Sequence, residues 1–124
     1  MGHHIFTRGA HSHQVHDIDL VLLKHFLTVG ARLNGRSRLV EDLEKWQWIG
    51  PGVWMADGEG EILESEDAVF EQAERVVAAF GTAIPEEYIK QSIPDLRGIR
   101  ISQTDTARLI GELQRLRAYV QSNN

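Results

Sequence analysis

The sequence predicts an α+β fold, a small antiparallel sheet of two to four short strands packed against three main helices as a single pair of layers. Three observations predict it. Four segments place apolar residues at helical spacing, three of them long. Between them, the stretch from Trp46 to Leu63 alternates short apolar runs with turn residues. No internal repeat or long linker divides the 124 residues, a length that suits one core. The expected organisation is one α+β domain over 17–124, preceded by a separate segment over 1–16.

That leading segment holds five of the six histidines and one adjacent apolar pair, Ile5-Phe6. A secretory signal needs an apolar run of about seven residues or more. Residues 1–16 therefore read as a His-rich flexible arm or the remnant of an expression leader, and the expected location is the cytoplasm.

From Asp17 to Leu33, Ile18, Leu22, Phe26, Val29 and Leu33 recur at steps of three or four, with Leu20, Leu23 and Leu27 as a second row. Asp17 is the expected N-cap, and Asn34-Gly35 the stop, since both tolerate a left-handed backbone. A shorter helix follows Ser37, with Leu39, Leu43 and Trp46 inward. Gly50-Pro51-Gly52 and Asp57-Gly58 then break two or three short strands between Trp46 and Leu63, with a loop at 57–60. Ser65 is the expected cap of the clearest helix, which buries Val69, Phe70, Ala73, Val76, Val77 and Phe80 and closes at Gly81. Pro85 suits the start of a short helix that Pro94 ends, and residues 98–102 suit a strand. The last helix, capped by Ser102 or Thr104, carries Leu109, Leu113, Leu116 and Val120 in one row. Gly111 in its middle implies a close backbone neighbour, because glycine there costs about 1 kcal/mol relative to alanine.

With 42% hydrophobic and 25% charged residues, the composition excludes disorder and fibrous classes. No apolar run is long enough to span a bilayer. Without cysteine there is no disulfide framework, thiol nucleophile or thiolate zinc site. The net charge of −5 is unevenly spread. Residues 41–89 carry 13 acids against Lys45 and Arg75, whereas both flanks are net basic. Such a block is a solvated face, a surface that steers a basic partner, or a surface that the basic flanks neutralise by folding back. The acidic balance argues against nucleic-acid binding.

Few constellations carry chemistry. His11, His13 and His16, beside Asp17 and Asp19, have ligand types suited to zinc, nickel or copper, although a solvated arm is the ordinary reading. The pattern departs from the amidohydrolases, which need a barrel, and from the cupins, whose later ligands lie on strands. Asp57-Gly-Glu59-Gly-Glu61 resembles the start of an EF-hand loop but has Ile62 and Ala68 where glycine and glutamate belong. Trp46, Trp48 and Trp54 suit either a sheet core or an interface anchor. His25 stands alone on the first helix. Nucleophile-elbow, phosphate-loop and dinucleotide fingerprints are absent from the sequence.

These features favour a non-enzymatic protein-binding module without a cofactor. Asp57, Glu59, Glu61, Glu64, Glu66 and Asp67 would supply charge toward a basic protein partner, and Trp54 an anchor. In size and charge alone, the chain is similar to the bacterial immunity proteins that neutralise toxic nucleases, so an immunity- or inhibitor-type role is the reading. One alternative is a small metal-binding protein or metal-dependent enzyme using His11, His13 and His16. A second is a winged-helix DNA binder, which Glu41, Asp42 and Glu44 on the second helix oppose. Homodimerisation is compatible with each.

Overall fold

The computed structural model describes residues 2–8, 10–55, 61–82 and 103–121. Along them run β1 (His3–Arg8), β2 (His11–His16), α1 (Asp17–Leu33), α2 (Ser37–Glu44), β3 (Gln47–Gly50) and β4 (Val53–Met55). A single 3-10 turn (Glu61–Leu63), α3 (Asp67–Thr82) and α4 (Gln103–Gln121) complete the order. The α+β fold is present, but its strands form two separate antiparallel hairpins, β1–β2 and β3–β4, rather than one sheet.

The first hairpin corrects the reading of residues 1–16 as an arm. His4 pairs with Val15 and Phe6 with His13, so these four side chains share one face. Phe6 and Val15 are sealed in the core, and His4 is buried beside them. The opposite face presents His3, Ile5, Thr7, Ser12 and Gln14, with His16 half-buried. A search for apolar runs overlooks this strand pair because imidazoles occupy half of its inward positions.

The long helices bury the stripes expected of them. Leu20, Leu23, Leu27 and Ala31 of α1 meet Val69, Phe70, Ala73 and Val77 of α3, and Leu109, Leu113, Leu116 and Val120 of α4 complete the cluster. The row ending in Leu33 drifts outward, and Leu33 itself is exposed. Gly35 takes the left-handed conformation at φ 68° just past α1, as its pairing with Asn34 implied.

Three expected caps change. His16 caps α1, its Nδ1 accepting the Ile18 amide at 3.3 Å, which frees Asp17 for other partners. Arg36, not Ser37, occupies the cap position of α2. Ser65 lies ahead of α3 with a left-handed φ of 62°, and the Glu66 carbonyl accepts from Val69 and Phe70 as the helix starts. The third strand is also corrected, since Glu61–Leu63 winds into a 3-10 turn that buries Leu63. The loop at 57–60, the helix expected after Pro85, the strand at 98–102 and the Ser102 cap lie outside the described residues.

The close helix approach is at Gly30 and not at Gly111. A Cβ on Gly30 would stand 2.8 Å from the Val69 carbonyl oxygen and 3.3 Å from the Ala73 nitrogen, so α1 and α3 touch backbone to backbone there. On Gly111 it would meet only the tip of Arg115, at 3.4 Å, among the described residues. The two glycines should therefore respond oppositely to alanine. Gly111→Ala should gain up to about 1 kcal/mol from helix propensity. Gly30→Ala should lose about 1–3 kcal/mol by overpacking. Urea unfolding of the two variants tests this, and a stabilised Gly30→Ala would contradict the crossing.

Candidate functional site

The β3–β4 hairpin is where the acidic part of the sequence meets exposed apolar side chains. Trp48 pairs with Trp54, and both pack partly buried against the core. A register shift between Trp48 and Gly50 lets the hairpin close through Pro51-Gly52. Strand parity then turns Ile49 and Val53 outward, at 60% and 52% exposure. Exposed Pro51 stands at the tip between them. Beside Ile49 opens a groove of about 370 Å³, lined by Lys24, Glu44, Trp46, Gln47, Trp48 and Ile49. In sequence, Glu41, Asp42 and Glu44 precede the hairpin, and Asp57, Glu59 and Glu61 follow it.

The hairpin is held from below by Asp17. This buried carboxylate accepts the Gly52 amide at 2.6 Å on Oδ2 and the Trp54 indole N–H at 3.1 Å on Oδ1. Its own backbone N–H donates to the Gly2 carbonyl at 3.1 Å, which ties the start of the first hairpin to the same point. Trp54 is thus a support rather than the exposed anchor expected of it. Trp46 is fully buried against Phe6, and its carbonyl accepts from Lys24.

The acids assigned to partner binding separate into two groups. Glu66 pairs with Arg36, whose guanidinium is held further into its charged form by the hydrogen bond to that carboxylate. Asp67 lies 3.2 Å from Arg117, which also reaches Glu71 at 3.5 Å, and the Gln121 amide donates to Asp67. Both basic flanks of the sequence therefore fold back onto the head of α3. Glu64 is half-buried, while Asp57, Glu59 and the Glu61 side chain lie outside the described residues.

The histidines do not converge. On β2, His11 and His13 point to one face and His16 to the other, where its Nδ1 is spent on the α1 cap. Among the described residues, no three His, Asp or Glu side chains gather as a metal-binding group. The expected outward residues of the site were Trp54 and the acids, and Ile49 and Val53 were missed. A parity count from the paired tryptophans would have found them.

Comparison with protein families, characterised proteins and solved structures finds no match for this chain.

His25 on α1 stacks edge-on against Phe26 at 5.1 Å. Burial, aided by the charge of Arg32, pushes its imidazole down to about 4 from the ordinary 6.5. A lowered folded value means the unfolded chain takes up the proton more readily. The stability His25 protects is therefore complete above pH 6.5 and is lost as pH falls toward about 4. His25→Gln should match the parent near neutrality and exceed it by up to about 3 kcal/mol at the acid end. Urea unfolding across that range measures the gap, and a pH-independent gap would contradict the burial.

Proposed function

We propose that this chain is a non-enzymatic binding module whose β3–β4 hairpin and flanking acids engage a basic protein partner, as an immunity- or inhibitor-type protein of the bacterial cytoplasm would. The observation that carries this reading is the outward pair Ile49 and Val53, exposed on a hairpin bounded in sequence by acids on both sides. Exposed apolar side chains beside like charges are the composition of a recognition patch, with the apolar area supplying affinity and the charge supplying encounter rate. The internal pairing of Glu66 and Asp67 moves the weight of the proposal to the hairpin and to Asp57, Glu59 and Glu61. No helix among the described residues is long and apolar enough to cross a membrane. The separated histidines, and Glu41 and Glu44 exposed on α2, leave the metal and DNA-binding alternatives without a supporting observation.

The test is affinity capture from the source organism's lysate, followed by association kinetics with the purified partner. The full chain should retain a basic protein. Ile49→Asp with Val53→Asp should abolish its binding, and Asp57→Asn, Glu59→Gln and Glu61→Gln together should slow association and flatten its salt dependence. Unchanged binding by both variants would overturn the proposal. Self-association lost in the apolar variant would instead assign the hairpin face to a second copy of the chain.

A further inference from the structure

The inward face of the β1–β2 hairpin sets a half-buried titratable group against α4. His13 stacks on Tyr119 of α4 at 5.5 Å between ring centroids, with planes 24° apart. Its Nε2 is shut off from solvent and has no hydrogen-bond partner among the described residues. Across the strand pair stands Phe6, which packs between Trp46 at 5.8 Å and Tyr119 at 6.4 Å. Two places along, His4 is buried edge-on against Phe6 at 4.5 Å. The hairpin therefore rests on Tyr119 of α4 through two rings, Phe6 and the imidazole of His13.

We propose that this hairpin is an acid-released clasp, held on α4 while His13 is neutral and undocked when His13 is protonated. A protonated His13 would place a cation against the ring of Tyr119 and leave the solvent-shielded Nε2–H unpaired, which is costly at that atom. By register Arg8, opposite His11, belongs to the same strand face as His13. On α4, Glu112 favours the cation and Arg115 opposes it, and those two pair with each other at 2.6 Å. On α1, Asp17 is bonded to Gly52 and Trp54, and Asp19 to Arg108. His11 precedes His13 on the same strand face and is exposed, and His4 is the other inward imidazole. Burial, the largest influence, leaves His13 less basic than a free histidine, so docking is complete above the ordinary 6.5 and weakens as pH falls below it. Undocking would uncover Phe6, Val15 and Tyr119 while α1, α3 and α4 stay packed on one another.

Hydrogen exchange on the full chain, corrected for the intrinsic rate, tests this between about pH 7.5 and about pH 5. Residues 3–16 should lose protection several-fold while the middles of α1, α3 and α4 keep theirs. His13→Phe, which retains a ring on Tyr119 but cannot titrate, should hold the hairpin at the acid end, and His11→Gln should behave as the parent. Equal loss in His13→Phe, unchanged protection in the parent, or loss shared by all helices would overturn the proposal. Should His13→Phe fail to fold, the imidazole signal of His13 in the parent decides. Titration below 6.5, concurrent with hairpin opening, supports the clasp, and titration at or above it with the hairpin still protected overturns it.

Discussion

Asp17 is the constraint on which the arrangement of the two hairpins depends. Each hairpin is too small to be stable alone, and the two share no ladder. Asp17 joins them at the first residue of α1, through its backbone N–H to Gly2 and through both carboxylate oxygens to Gly52 and Trp54. The approach is so close that a Cβ on Gly2 would fall 2.1 Å from the Gly52 nitrogen. His16 makes this possible by capping α1 itself, so the acid beside it is not consumed by the helix end. The placement also sets an anion at the positive end of α1, and Asp19 in the same turn binds Arg108 from α4.

Folding cancels part of a charge separation that is conspicuous along the chain. Arg36 and Arg117, from the two basic flanks, meet at the N-terminal end of α3, and Arg32 pairs with Glu44 at 2.9 Å. Exposed pairs of this kind contribute little stability. Their consequence is to redistribute the surface potential, leaving the acids around the β3–β4 hairpin as the part of the acidic block to which the binding reading attaches. In sequence, the exposed Ile49 and Val53 lie between those acids.

The helices were legible because few backbone conformations besides the α-helix turn a 3.6-residue apolar period into one continuous stripe, and Val69, Phe70, Ala73, Val77 and Phe80, with Leu109, Leu113, Leu116 and Val120, are buried as their spacing implies, Val76 only partly. The first hairpin was not legible by the same rule. Its inward face reads His4, Phe6, His13 and Val15, and a scale that counts imidazole as polar sees only two apolar residues. Asp17 illustrates a second difficulty. A carboxylate beside an apolar run is an excellent cap in isolation, and only the distant Gly52 and Trp54 draw it inward. The glycines illustrate a third, since Gly30 and Gly111 both interrupt helices and only the packing partner, Val69 in one case, separates them. For the candidate site, the acids were legible as composition, but their pairing is a long-range property.

The most direct test of Asp17 as the joint between the hairpins is urea unfolding of Asp17→Ala beside Asp17→Asn, with hydrogen exchange read on both hairpins. Alanine leaves the part-buried Gly52 amide and Trp54 indole unpaired, so it should cost about 2–4 kcal/mol and open the β3–β4 hairpin, while the first hairpin, tied through the backbone N–H that alanine retains, keeps its protection. Asparagine keeps one acceptor and should cost less. Stability within about 0.5 kcal/mol of the parent for Asp17→Ala, with the β3–β4 hairpin still protected, would show that this hairpin is held by something other than the carboxylate.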